Sequence, residues 1–298
     1  MTGFEPRILE SKILGNDCIA REIYRLTLKY DNAEVKIKPG QFVNLYLNDK
    51  SMILPRPVSV CEAGNDRLTL VYRVVGKGTE ALSGYAPGEM IRVSTPLGNG
   101  YDISDVVSTV KGASKKIVLA AGGLGVPPMI ELAKTLRNEI EGRADNSATP
   151  DTSAASNTGA TASLPDTDKK PEIVAVVGFQ DEVFLKEELE RFCHRVLVAT
   201  DSGISGFHGN VVELMKTFEQ PGDYYLACGP KLMLKAVSEY CLEKNLPIQV
   251  SLEERMGCGY GACVGCTCKI KEDHESVKLK KVCKDGPVFR GNEVVWDD

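Results

Sequence analysis

The chain has 298 residues, 43% hydrophobic and 26% charged, the balance of a soluble globular protein with room for two domains and a small appendage. Its 36 basic and 41 acidic residues leave a net charge of −5, which argues against a nucleic-acid surface. No apolar run approaches the roughly 20 residues of a membrane span, and Met1–Leu14 lacks a signal-peptide core, so no membrane association and a cytoplasmic location are expected.

From Arg7 to about Ser104 short β-rich runs alternate with Gly, Pro, Asn and Asp. Glu22–Lys29, Gln41–Leu47, Pro57–Cys61, Arg67–Val74 and Met90–Thr95 are strand candidates, and their close spacing predicts a small antiparallel barrel. Within it, Arg56-Pro57-Val58-Ser59 begins a strand, and Arg73-Val74-Val75 runs through a glycine turn into Gly78-Thr79 and a short helix. Such a turn presents free backbone N–H groups to a phosphate, and Arg56 or Arg73 is a candidate for further bonds to the same anion. Ser59 is a candidate for the polar edge of a flavin ring. Each piece alone is a common turn or strand start; the combination, ahead of a nucleotide-type sheet, points to a flavin.

From Lys115 to about Asn245 apolar strands alternate with helices, which predicts a parallel sheet covered on both faces. The strand candidates are Lys116–Ala121, Ile173–Val177, Val196–Thr200 and Tyr224–Ala227. Helical patterns cover Pro128–Ile140, Phe184–Phe192, Asn210–Phe218 and Lys231–Lys244. The loop Gly122-Gly123-Leu124-Gly125 follows the first strand. It is not a G-x-G-x-x-G fingerprint, but its glycines allow a nicotinamide dinucleotide's pyrophosphate to approach at the carboxyl end of a parallel strand. Cys228-Gly229-Pro230 holds the same kind of position after a later strand. It reads as a helix start with Pro near its first turn, or as a place for Cys228 beside a nicotinamide. Asp201 and Ser202 are candidates for the adenosine ribose, although Asp in that place is also an ordinary helix cap. Ala144–Lys170 is rich in Ala, Ser, Thr, Asp and Pro and reads as a flexible insertion. A linker between domains is the rival reading, opposed by the need for strands from both sides of it.

Ten cysteines in a reducing compartment suggest metal or redox chemistry more than disulfides, and five of them fall between Cys258 and Cys283. Cys258, Cys263 and Cys266 stand in a C-x4-C-x2-C spacing, with Cys283 at a distance. That is the plant-type [2Fe–2S] pattern, and Gly257, Gly259, Gly261 and Gly265 let the backbone wrap the cluster. A structural zinc site favours two C-x2-C pairs, and only Cys263 and Cys266 form one. Cys268 is set aside as a ligand, with exchange for Cys266 left open. The three histidines form no constellation, and no general acid or base is singled out.

The order Arg-Pro-x-Ser, Gly-Lys-Gly-Thr, Gly-Gly-x-Gly, Cys-Gly-Pro and the cysteine run resembles the ferredoxin reductase superfamily. Glu254-Arg255-Met256-Gly257-Cys258-Gly259-Tyr260-Gly261-Ala262-Cys263 is similar to the cluster loop of the electron-transfer subunits of class 1B dihydroorotate dehydrogenases. The resemblance implies an FAD-binding barrel over 1–110, an NAD-binding α/β domain over 111–247 and a [2Fe–2S] domain over 248–298. It implies cluster ligands at Cys258, Cys263, Cys266 and Cys283, and flavin contacts at Arg56–Ser59, Arg73–Val75 and Gly78–Thr79. It also implies an FMN-containing dihydroorotate dehydrogenase catalytic subunit as partner, two copies of each chain, and a role in pyrimidine synthesis. A reductase for another partner, of the sulfide dehydrogenase or transhydrogenase type, is a second reading. Those relatives tend to carry an acidic residue where this chain has Cys258. A zinc-stabilised or redox-sensing binding module without turnover is a third.

Overall fold

The computed structural model describes residues 6–30, 36–64, 66–111, 115–142, 170–272 and 276–296. The expected insertion Ala144–Lys170 lies outside the described residues except for Lys170.

The first six strands are β1 (Ile8–Ala20), β2 (Ile23–Lys29), β3 (Phe42–Tyr46), β4 (Arg56–Ala63), β5 (Arg67–Arg73) and β6 (Met90–Ser94). They close an antiparallel barrel in the order β1-β2-β5-β4-β3-β6. Inward-facing Leu26, Leu28, Val43, Leu45, Val60, Leu68, Leu70, Ile91 and Val93 fill it, as the two-residue side-chain period of a strand requires. Helix α1 (Lys77–Ser83) sits between β5 and β6 and adds Leu82 to the same core. Strand β1 has no counterpart among the candidates read from the sequence. Two register shifts, at Ile13/Gly15 and Cys18/Ala20, break its alternation and hide its period.

Helix α2 (Ile103–Thr109) leads into the second layer: β7 (Lys116–Gly122), a 3-10 turn over Gly123–Gly125, α3 (Val126–Glu141), β8 (Glu172–Phe179), α4 (Lys186–Glu190) and β9 (Arg195–Thr200). The chain continues through β10 (Phe207–His208), α5 (Val211–Lys216), β11 (Tyr224–Cys228), α6 (Lys231–Glu243) and β12 (Ile248–Ser251). These strands pair in parallel in the order β10-β9-β8-β7-β11-β12. Helices α2, α3 and α4 cover one face and α5 and α6 the other. The α3 core also takes in Ala20, Ile23, Cys61 and Val71 from the barrel wall, so barrel and sheet share one apolar cluster. No described helix is long and apolar enough to cross a membrane.

The cysteine-rich tail carries a hairpin of β13 (Thr267–Lys271) and β14 (Val277–Lys281), then β15 (Val288–Arg290). Strand β15 pairs antiparallel with β12 and becomes the seventh strand of the sheet.

Candidate functional site

The cysteine loop leaves β12 and folds against the barrel. Gly259 (φ +77°) and Gly261 (φ +89°) take left-handed conformations that admit glycine with little strain. Asn44 on β3 donates its Nδ2 to the Cys258 carbonyl at 2.9 Å, and Lys281 on β14 donates Nζ to the Gly261 carbonyl at 2.7 Å. One end of the loop is therefore tied to the barrel and the other to the tail hairpin.

The four expected ligands meet as two pairs. The backbone N–H of Cys263 points at Cys258 Sγ at 3.4 Å, and the two thiols are in contact. The thiols of Cys266 and Cys283, both buried, touch each other. Burial is the largest influence on Cys258 and opposes ionisation. The amides of Cys263, Tyr260 and Ala262 and the Cys263 thiol together outweigh it and bring Cys258 down to about 6. Among the described residues no three His, Cys, Asp or Glu side chains close around one point tightly enough for a single metal ion. Two neighbouring sulfur pairs lined by amides fit a two-iron cluster better than a tetrahedral zinc ion. Cys268, on β13, packs against the sheet core and also against the buried cluster that holds Cys266 and Cys283, and burial raises its thiol to about 11.

Beside this loop lies a cleft of about 960 Å³ between Ser51–Pro57, Lys77 and Glu253–Met256. Arg56 and Pro57 are in its wall. The Arg56 guanidinium covers Gly78 at the start of α1, where a Cβ would collide with it, and donates to the Leu54 carbonyl. Thr79 Oγ1 accepts from the N–H of Val75 at 2.9 Å and of Gly76 at 3.3 Å, which shapes the turn. Val58 points into the barrel core and offers only backbone to the site, while Ser59 is half-buried opposite Phe42. Val74 donates its N–H to the Glu22 carbonyl at 2.8 Å.

A second cleft, about 750 Å³, runs between barrel and sheet. Arg73 and Val75 line one side; Gly122, Gly123, Gly125 and Gly229 line the other. The two glycine loops pack so closely that a Cβ at Gly125 would overlap the Cys228 carbonyl and the Gly229 nitrogen. Cys228 itself does not line the cleft: its thiol bonds to Ser251 on the neighbouring strand, and burial pushes it up to about 12. Asp201 lines the cleft and Ser202 does not; the Ser202 Oγ accepts from the Ile204 N–H at 3.4 Å. Glu253 borders both clefts and so marks where they meet. The paired clefts, the cation over a glycine turn and the close-packed glycine loops fit a flavin and a nicotinamide dinucleotide meeting between the two layers. Asn44 and Glu253 escaped sequence reading, since neither falls in a motif with a spacing of its own.

Comparison with known proteins agrees with this geometry. Residues 8–101 match the oxidoreductase FAD-binding domain, and residues 253–295 match the iron–sulfur cluster binding domain of dihydroorotate dehydrogenase B. The dihydroorotate dehydrogenase B (NAD(+)) electron transfer subunit of Clostridium acetobutylicum is 33% identical, covering 96% of this chain and 97% of that protein. The subunit of the same name from Bacillus caldolyticus is 36% identical, covering 93% and 94%. A solved structure of an NADH-dependent reduced ferredoxin-NADP oxidoreductase superposes with a TM-score of 0.74 at 26% identity, covering 99% of this chain and 92% of that one. Similarity of this extent to the curated subunits, over nearly the whole length of both, shows that the chain belongs to the family of dihydroorotate dehydrogenase B electron transfer subunits.

Proposed function

We propose that this chain links an FMN-containing dihydroorotate dehydrogenase catalytic subunit to NAD+, with FAD and a [2Fe–2S] cluster as its resident groups, in a complex of two copies of each subunit. An iron–sulfur cluster handles single electrons, nicotinamide takes a hydride, and a flavin exchanges with both. Cys258, Cys263, Cys266 and Cys283, which meet as two sulfur pairs, would hold the cluster. Arg56, with Lys77 at the same cleft, supplies positive charge for the flavin's phosphates. Pro57, Val58 and Ser59 present the strand edge, and Arg73, Val74, Val75, Gly78 and Thr79 build the turn around it. Gly122, Gly123, Gly125 and Gly229 form the floor for the dinucleotide, and Cys228 braces that floor from below through Ser251. These residues bind and orient, and none is asked to carry a proton.

The observation that carries the reading is the adjacency of the two sulfur pairs to a cleft that joins, at Glu253, a second cleft floored by glycine loops. Cys263→Ser is the direct test. Iron and sulfide should be lost while the flavin stays bound; a normal cluster content refutes the ligand assignment. Copurification with the FMN-type subunit, and NAD+ reduction driven by dihydroorotate on mixing the two, tests the partner. The likeness to the NADH-dependent ferredoxin-NADP oxidoreductase favours one other reading, a reductase for a different redox partner. Reduction of ferredoxin without any dihydroorotate-driven turnover would select it.

A further inference from the structure

Glu131 is a carboxylate buried where its helix meets the barrel. It lies on α3, is only 7% exposed, and faces the end of β4. A carboxylate is rarely buried unless the site gives it partners. Here the partners are the backbone of one strand residue and a lysine of the same helix. Glu131 Oε2 accepts the Ala63 N–H at 2.8 Å, and Lys134, one turn further along α3, donates Nζ to the Ala63 carbonyl at 2.5 Å. Glu131 and Lys134 are themselves 3.3 Å apart.

The reason Ala63 is available lies in the barrel. Strand β3 pairs with β4 only as far as Phe42 opposite Ser59, and the last bond on that side runs from the Val60 N–H to the Gln41 carbonyl. Beyond it β4 has a bare edge, which two helical side chains complete in place of a strand.

Strand and helix each carry one half of the site. Ser59 lies on β4 about 13 Å from Ala63 at 3.3 Å per residue. The glycine turn at Gly125 opens α3 about 9 Å from Glu131 at 1.5 Å per residue. Both elements are stiff, and they are clamped together at Ala63. We propose that Glu131, with Lys134, is a positioning residue: it fixes the distance between the flavin-bearing strand and the nicotinamide-bearing glycine loop, and so the alignment for hydride transfer. The inference rests on the reading of those two clefts given above.

The test uses the full chain with its flavin and cluster in place. In Glu131→Ala, hydrogen exchange at the Ala63 amide should quicken, a readout independent of turnover. Flavin reduction by saturating NADH, followed by rapid mixing, should slow about tenfold to a hundredfold, the usual cost of an ångström-scale misplacement. NADH affinity and flavin and cluster content should hold, while the long-wavelength flavin–nicotinamide absorption weakens. Glu131→Gln, which keeps an acceptor for the Ala63 N–H, should recover most of the rate. Faster exchange at Ala63 with an unchanged rate and unchanged absorption band would reduce the clamp to a structural detail and overturn the proposal. If Glu131→Ala does not fold, Lys134→Met decides on the same measurements. Wild-type protein that NADH cannot reduce would sink the functional reading instead.

Discussion

Gly259 shows how far a single hydrogen atom matters at the cluster loop. A Cβ there would stand 2.5 Å from Asn44 Nδ2, in a backbone conformation (φ +77°) that costs an L-residue about 1–2 kcal/mol. Asn44 is fully buried and holds the Cys258 carbonyl, so it has no room to retreat. Gly259→Ala is expected to lower iron and sulfide per chain and to reduce the midpoint of thermal unfolding, with flavin content retained. Full cluster occupancy would show that the Asn44 tether is dispensable. That Cys258 and Cys263 come together was legible because their spacing is local. Asn44 was not, since its bond to Cys258 spans 214 positions. Glu131 was hidden for the same reason: read along its helix it is an ordinary acidic residue, and only the bare edge of β4 gives it a role.

At the scale of elements, most strands of the barrel and of the sheet core were legible, while β1, β10, β12 and the tail strands β13, β14 and β15 were not. Strand β1 is bulged, β12 has four residues, and β10 and β15 have only two and three. The start of β9 illustrates how a side chain can complete a strand. His194, part of no constellation in the sequence, accepts the Ile173 N–H on Nδ1 at 2.9 Å while its backbone N–H donates to the Ile173 carbonyl at 2.8 Å. Burial, then the nearby Arg137 charge, holds its imidazole below the ordinary 6.5. The folded chain thus binds this proton less readily than the unfolded one. The pin is intact above about pH 6.5, and its contribution is lost as pH falls below that value. His194→Gln is expected to narrow the gap between urea midpoints measured at about pH 7.5 and pH 5.5. An unchanged gap would place the acid sensitivity elsewhere.

The whole molecule is organised by two junctions. Barrel and sheet share an apolar cluster, supported by Arg25 paired with Glu188 and by the Arg21 N–H on Glu182 at 2.8 Å. The residues named at both junctions lie outside 144–170. Helix α3 is closed by Gly142 in a left-handed cap (φ 68°), and β8 finds its register on β7 from Glu172 onward. Replacing 144–170 by a short Gly-Ser bridge is therefore expected to preserve NADH-dependent dye reduction; loss of that activity in a folded protein would assign the segment a role. The second junction is β15. Because the tail departs from β12 and its last strand returns beside it, the whole cysteine-bearing excursion is laced shut at its base. Excising it as a freestanding electron carrier would strip β12 of its outer neighbour and leave an open sheet margin, a template for self-association. For anyone wishing to transplant this cluster into another reductase, the portable unit begins before the first cysteine, at β12.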